Sequence, residues 1–472
     1  MRLCRRTTLP ILCLAATLQA GPAEWKRLVA GRLELVTTES EFRARAALTS
    51  LQNADAFFRA SHKFVFGSDT PLRVIAFRSA DEYAPFRLHG SAFAHYFHGS
   101  DRDYIVLQDL AADHLEALVH EYTHFVTRSC GLNLPLWLNE GLADFYSSLQ
   151  VANGRASVGS PLAGRLSTLQ HQNWIPLAQV LQADRKSGLA ETQAASSLYA
   201  ESWALVHMLM SGPRYSARFD DVLRALATQA DTAQTLAAIY GVTVEQLESD
   251  LQAYVRTVQT WNSAPESALS PEHTAASLET VSSADAEFLL AGLAASQSWN
   301  SEAAQARLRT LLERYPENPR VEEMLASIAS RQNRLVEARL HLRRAVELGS
   351  KDPNILYRLA KLEQKSGASS AQMIQMLNQV LTLDPTHKEA AFELAVLEFN
   401  SHEFSKVLAR LSVVTEISPS WATTYYAMLA YCYLHEQNLA LARSFAVRAG
   451  QSARTDSDRM KAEQLLTRLM EK

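Results

Sequence analysis

Hydrophobic positions in the first half of the chain change their period several times. Apolar and polar residues alternate in "RLELVTT" (32–38), and β-branched residues crowd "PLRVIAF" (71–77). Both stretches predict strands, with a long helical pattern between them. A helix-like stretch, "SADEYAPFRLH" (79–89), precedes "AFAHYFH" (92–98) and "DYIVLQD" (103–109), which predict two more strands. From 111 to about 260 the apolar spacing is mainly helical. The stretch "LQVANGRASVGSP" (149–161) interrupts it. A short sheet followed by helices is an α+β arrangement, expected over residues 24–262.

Residues 263–280, "SAPESALSPEHTAASLET", are rich in Ser, Ala, Pro and Glu and show little apolar period, so a linker is expected there. Beyond it the pattern repeats. Pro319, Pro353, Pro385 and Pro419 are separated by 34, 32 and 34 residues, and each follows a helix-like segment such as "LRRAVELGSKDP" or "LNQVLTLDP". Amphipathic stretches with Ala near the middle follow, as in "ILYRLAKLEQKSG". Two helices and a Pro-marked turn per 34 residues resemble tetratricopeptide repeats, which implies an all-α solenoid over 281–472 with a surface for protein partners.

The first twenty residues differ from both halves. Arg2, Arg5 and Arg6 precede the apolar run "LPILCLAATLQA", and Ala20, Gly21 and Ala23 follow. A basic start, a short apolar middle and a small-residue exit predict a signal peptide over 1–20 and an exported, periplasmic or secreted product. The run is too short to span a bilayer, and no span is expected in the mature chain. A net charge of −4 gives no reason to expect nucleic acid or anionic lipid as a partner. Cys4 and Cys13 lie in the leader, which leaves Cys130 and Cys432, far apart and expected as buried thiols rather than a disulfide framework.

Candidate chemistry centres on "LVHEYTHFV" (118–126). Leu115, Leu118, Val119, Tyr122 and Val126 form one apolar stripe of a helix. Asp113 and Glu116 fit a capping box before it, and Gly131 fits a C-terminal stop. His120 and His124, four apart, project from one side with Glu121 beside them, so their imidazoles can converge on one ion. A catalytic zinc keeps three protein ligands and one open position. The next helix-like stretch, "LPLWLNEGLADFYSSL" (134–149), supplies the carboxylate of Glu140. Asp144, one turn on, can accept the second ring N–H of a metal-bound histidine.

"HEYTH" followed by "LWLNEGLADFY" resembles the gluzincin metallopeptidases, which include thermolysin-like enzymes and zinc aminopeptidases. The layout is similar to that of the peptidase-MA-like proteins of bacteria. The resemblance implies a thermolysin-like catalytic domain and Zn2+ held by His120, His124 and Glu140. It also implies Glu121 as general base and Asp144 as the partner of a ligand histidine. Two neutral imidazoles and one carboxylate leave a net positive site that acidifies a bound water. Departures matter too. Fifteen residues separate His124 from Glu140, a shorter connection than in the better-known gluzincins. No Gly-x-Met-Glu-Asn stretch is present, so an endopeptidase acting on peptide or protein is expected. Tyr199 is the candidate oxyanion donor, on one helical face with Trp203 and His207. His95 and His98 are expected to border the cleft without binding metal, and strand 104–108 to serve as the edge that aligns substrate. The competing expectation is a repeat scaffold for protein assembly carrying a degenerate or structural metal domain.

Overall fold

The computed structural model describes residues 24–61, 63–64, 71–88, 92–99, 102–184, 194–227, 231–257, 267–269, 273–297, 299, 301–414, 417–418, 420–453 and 455–470. The expected leader, Pro419 and part of the expected linker lie outside them. Two compact units divide after Ala286.

The first unit opens with a hairpin of β1 (Trp25–Ala30) and β2 (Leu33–Thr37), turned at Gly31 with φ 58°. Helix α1 (Glu41–Ala60), capped by Ser40, carries the chain to β3 (Leu72–Ala76). A short α2 (Ala80–Tyr83) precedes β4 (Ala94–His98) and β5 (Asp103–Leu107). Then come α3 (Leu115–Ser129), α4 (Leu136–Ser147) and a small hairpin of β6 (Gln150–Ala152) and β7 (Arg155–Ser157). That hairpin is the interruption seen in the sequence. It turns at Asn153 and Gly154, both with positive φ, the backbone that a two-residue hairpin loop requires. Helices α5 (Ala163–His171), α6 (Leu177–Gln182), α7 (Ala195–Ser211), α8 (Phe219–Leu226), α9 (Thr232–Tyr240) and α10 (Val244–Val255) complete the helical part. Strand β8 (Ser267–Ala268) joins β7, and β9 (Ser277–Val281) joins the main sheet.

The main sheet has the order β4-β5-β3-β2-β1-β9. Strands β2, β3 and β5 are mutually parallel, and β4, β1 and β9 pair antiparallel to their neighbours. One face of the sheet, with Leu28, Leu35, Val74 and Ile105, packs on Leu48, Leu51 and Phe58 of α1 and on Leu118, Tyr122 and Phe125 of α3. All of these are buried. The helix bearing His-Glu-x-x-His therefore stands against the sheet, with its polar side turned away.

Two expectations are corrected here. Residues 104–108 do not form an edge, because β5 lies between β3 and β4; the edge is β4, which folds back antiparallel onto β5. Residues 277–280, expected within the linker, and Val281, expected to open the repeats, form a sixth strand paired with β1 from Trp25↔Val281 to Val29↔Ser277.

Helix α11 (Ser283–Ser296) crosses the division, and the second unit continues with α12 (Ser301–Arg314), α13 (Pro319–Arg331), α14 (Leu335–Glu347), α15 (Pro353–Lys365) and α16 (Ser370–Leu383). It closes with α17 (Lys388–Asn400), α18 (Phe404–Ser412), α19 (Ala422–His435), α20 (Leu439–Gln451) and α21 (Asp456–Met470). Pro319 and Pro353 occupy the first turn of α13 and α15, where a missing N–H costs nothing, and Asn318 and Asp352 cap those helices. Fully buried alanines such as Ala326, Ala338, Ala345, Ala360 and Ala395 let the paired helices approach closely. Among the described residues no helix is long and apolar enough to cross a membrane.

Candidate metal centre

Helix α3 does not start on the expected capping box. A 3-10 turn, Ala112–His114, leads into it without a side-chain cap, and the Asp109 carboxylate instead accepts from the Ala111 N–H at 2.9 Å and pairs with His114 Nδ1 at 2.6 Å. The other end is as expected. Gly131, at φ 69°, closes the helix: its N–H donates to Arg128 O at 2.8 Å and the Leu132 N–H donates to Thr127 O at 2.9 Å. This pair of bonds is a Schellman stop. It turns the chain sharply enough for α4 to pack back against α3.

That short return brings the ligand candidates together. His120 Nε2 and His124 Nε2 are 3.2 Å apart, and each lies 3.6 Å from Glu140 Oε2. Ligand atoms held about 2.0–2.2 Å from a tetrahedral ion lie roughly 3.3–3.6 Å from one another, so the triangle has the right size for zinc. Two imidazoles and one carboxylate are also a donor set that zinc accepts. The residues present fit the ion.

Each ring has its other nitrogen engaged. His120 Nδ1 lies 2.9 Å from Asp144 Oδ1, and His124 Nδ1 lies 3.0 Å from Asn139 Nδ2. Asn139 is tied in turn to Thr127 Oγ1 at 3.2 Å. Asp144 is buried and held by Arg165 on α5, whose Nε donates to Oδ2 at 2.6 Å and whose Nη2 donates to Oδ1 at 3.1 Å. Fixing Nδ1 in this way points both Nε2 atoms toward Glu140.

Electrostatics follow from the crowding. Burial opposes charge on His120, but hydrogen bonds to Asp144 and Glu140 outweigh it and push its pKa up to about 10. Burial would raise the pKa of Glu140, yet His124 and His120 hold it well below the usual carboxylate range. Asp144 behaves alike: burial raises it, and His120 and Arg165 lower it further than that. A cation entering the triangle takes over from the imidazolium proton as the charge these carboxylates compensate.

Glu121 turns to a different neighbour. Its Oε2 accepts the backbone N–H of Tyr96 at 2.8 Å. Gln108 N–H donates to Phe93 O at 2.8 Å and Gly99 N–H to Arg102 O at 3.0 Å, so the odd-numbered residues of this segment bond to β5. Antiparallel alternation then turns Ala94, Tyr96 and His98 outward along the sheet edge. The carboxylate thus sits between the ligand triangle and an edge strand.

Helix α4 keeps its place through Gly141. A Cβ there would lie 2.4 Å from Ser202 O and 2.5 Å from Val206 Cγ2 of α7, so only glycine permits this approach. Tyr199, on the same α7, stacks beneath Arg165 with the guanidinium 5.6 Å from the ring centroid. It reaches the ligand set through Arg165 and Asp144. His207 is not a ligand: it is buried, with Nε2 2.8 Å from Gly159 O and Nδ1 2.6 Å from Tyr254 OH, and burial lowers its pKa. Trp203 packs on its ring. His95 is buried against Tyr83 OH at 2.9 Å, and His98 pairs with Asp103 at 2.6 Å; neither joins the ligand group. Cys432 is buried as expected and Cys130 only half-buried; burial raises their thiol pKa values to about 12 and about 11. Asn139, Arg165, Gly141 and the Tyr96 amide were not singled out from the sequence. Asn139, directly before Glu140, carried a signal that helix register could have used.

Two family models match parts of the chain. One, described as tetratricopeptide repeat, covers residues 289–353. The C-terminal unit carries tetratricopeptide repeats. The other, described as a protein of unknown function (DUF1570), covers residues 114–232 and so contains every candidate metal ligand. No curated protein matches the chain. Solved structures similar to it include YrrB, described as a TPR protein with an unusual peptide-binding site, at 17% identity over 38% of this chain and 90% of that one, TM-score 0.31. PilF of Pseudomonas aeruginosa is similar at 15% identity over 47% of this chain and 89% of that one, TM-score 0.32. PilW, described as a type IV pilus biogenesis factor, is similar at 14% identity over 39% and 90%, TM-score 0.28.

Proposed function

We propose that the chain is an exported zinc-dependent peptidase of gluzincin type that cuts within peptide chains and recruits substrate or partner proteins through its repeats. The observation that carries this reading is the triangle of His120, His124 and Glu140, with Glu121 next to it on the same helix. A structural site would need no such base.

In this reading His120, His124 and Glu140 hold the ion. Bound zinc supplies Lewis-acid polarisation of a carbonyl and lowers the pKa of a water. Asp144 and Asn139 keep the two rings oriented. As placed, Asn139 Nδ2 faces His124 Nδ1 and Oδ1 accepts from Thr127 Oγ1; a metal-bound His124 carries its proton on Nδ1, which requires the amide turned over so that its oxygen meets the ring. Tyr96 N–H holds one oxygen of Glu121, leaving the other to take a proton from the attacking water and deliver it to the leaving amine. The outward backbone groups of β4, other than the Tyr96 N–H that Glu121 occupies, align an extended substrate. Tyr199 is the candidate donor to the developing oxyanion.

Zinc content of the purified chain and cleavage of a broad peptide library by wild type and Glu121→Gln test the proposal. Stoichiometric zinc and a loss of about a hundredfold or more in cleavage are expected of the variant, the range for removing a general base. Zinc without any cleavage that the variant loses would leave the second reading, a scaffold for protein assembly. The tetratricopeptide match over 289–353 favours that reading, because it assigns the repeats and not the metal domain.

A further inference from the structure

Helix α3 runs alongside the edge strand β4 in the same direction. Phe93, just before β4, meets the ring of His114 at the start of the helix, 5.2 Å between centroids. Further along, Glu121 holds the Tyr96 N–H, and Phe125 meets the Tyr96 ring at 6.4 Å. Arg128 follows Glu121 by seven residues, within about 20° of two full turns, so it leaves the helix on nearly the same side and about 10 Å further on. His98 follows Tyr96 by two residues, on the same face of the sheet and about 7 Å further on. Both therefore lie toward the Gly99 end of β4. Burial first, and then Asp103, raise the pKa of the Tyr96 phenol, and the charge of Arg128 opposes them; the guanidinium is within electrostatic reach of this end.

Arg128 is exposed, and among the described residues its side chain makes no ion pair or hydrogen bond. The residues one turn away, His124, Phe125, Gly131 and Leu132, carry no carboxylate. A cation in the last turn suits the helix dipole, but the dipole accepts one on any side of the helix. His98 is half exposed: Nδ1 lies 2.6 Å from Asp103 Oδ1, and Nε2 has no partner among the described residues. Asp103 is buried, and its other oxygen accepts the Tyr96 O–H at 2.8 Å, so both of its oxygens are engaged and the imidazole is fixed. We propose that the groove between β4 and α3 selects extended peptides that carry Asp or Glu beside His98, two residues from the position beside Tyr96 and Glu121. A peptide laid along β4 turns every second side chain toward α3, and the one beside His98 meets both groups. Its carboxylate pairs with the Arg128 guanidinium and accepts from His98 Nε2, so that the ring stands between two carboxylates, one at each nitrogen. This preference presupposes that β4 aligns substrate, as in the peptidase reading, and names the class of substrate.

Fluorescence anisotropy of the full-length Glu121→Gln chain with zinc present tests this apart from cleavage. The probes are labelled peptides of about seven residues, blocked at both ends and long enough to cover β4, that differ only in one residue: Glu, Gln or Lys. The Glu peptide should bind about five- to tenfold more tightly than the Gln peptide, the scale of a partly exposed charge pair with one further hydrogen bond, and the Lys peptide most weakly. Adding Arg128→Glu, a change at an exposed position, should abolish the preference for Glu over Gln, while Arg128→Lys should keep part of it and His98→Gln should reduce it. Equal affinity for the Glu and Gln peptides, no binding of either, or a preference that survives Arg128→Glu would each overturn the proposal. Cleavage of the same peptides by the chain that retains Glu121 is scored separately. A preference without cleavage would remove the peptidase reading and leave the selectivity of the groove, and cleavage without a preference would do the reverse.

Discussion

Arg165 grips both oxygens of Asp144, with hydrogen bonds of 2.6 Å to Oδ2 and 3.1 Å to Oδ1, the oxygen that also meets His120 Nδ1. The acid is therefore locked before it orients the ring, and the guanidinium compensates a carboxylate that is almost wholly buried. Arg165→Met should lower zinc affinity by about ten- to a hundredfold, the usual consequence of losing an outer-shell partner, with the helices intact. Arg165→Lys restores charge without the two-pronged grip and should recover only part of it. Competition with a zinc-chelating dye measures both. Wild-type affinity in the Met variant would show that Asp144 needs no support.

Gly141 faces the α7 backbone too closely for any side chain. Because Ser202 O is part of a helix and cannot swing aside, Gly141→Ala must push α4 and α7 apart. Overpacking of this kind costs about 1–3 kcal/mol, and here it also displaces Glu140 by its neighbouring position. A lower urea midpoint together with weaker zinc binding is expected. Loss of one without the other would separate the packing role from the metal role.

The apolar stripe of α3, the His120/His124 pair and the proline-marked helix pairs were legible because each is a local regularity of period 3.6 or about 34. What was hidden depends on distant partners. Strand β9 has four exposed residues out of five, since it covers an edge and faces solvent, so its segment carried no apolar signal and read as a linker. The order of β4 and β5 was equally silent: both are rich in aromatic and β-branched residues, and only the return pairing decides which lies outside. Arg165 sits on α5, twenty-one residues beyond Asp144, with no spacing that marks the pair. Asp113 and Glu116 spelled a capping box, but Asp109 captured the helix entrance first.

Glu201 gives the fold a pH dependence unrelated to the metal ligands. Its Oε1 accepts the Ile175 N–H at 2.7 Å, while Oε2 is buried with no hydrogen-bond partner. Burial raises its pKa, the Ile175 amide opposes that, and the charge of Glu248 adds to it, giving about 8 against 4.5 for a free carboxyl. The native state thus holds this proton more tightly than the unfolded chain does. Its contribution is full below about pH 4.5 and is lost as pH rises through about 8, with an amplitude on the order of a few kcal/mol. Glu201→Gln cannot ionise and should flatten the decline in urea midpoint between pH 6 and pH 9. A parallel decline in both proteins would place the alkaline loss elsewhere.

The turns that end the first helices of four repeat pairs share one geometry without sharing a residue type. Asn333, Gly367, His402 and Gln437 have φ of 57°, 91°, 61° and 60° and follow α13, α15, α17 and α19 respectively. Each closes its helix with the same two bonds, as in His402 N–H to Phe399 O at 2.9 Å and Glu403 N–H to Glu398 O at 2.9 Å. The left-handed backbone costs a side-chain-bearing residue about 1–2 kcal/mol, least for asparagine, and a glycine nothing steric, though glycine loses more freedom on folding. His402→Gly and Gln437→Gly should therefore each stabilise by up to about 1 kcal/mol, and Gly367→Ala should destabilise by about as much. At Gly367 no atom lies within 4 Å of an added Cβ, so the loss there reports backbone conformation alone. The turns lie in different repeats, so the two gains should add in the double variant. Thermal unfolding of the four proteins checks this; a destabilised His402→Gly would mean that the imidazole ring, 5.8 Å from Phe404, contributes more than its strained backbone costs.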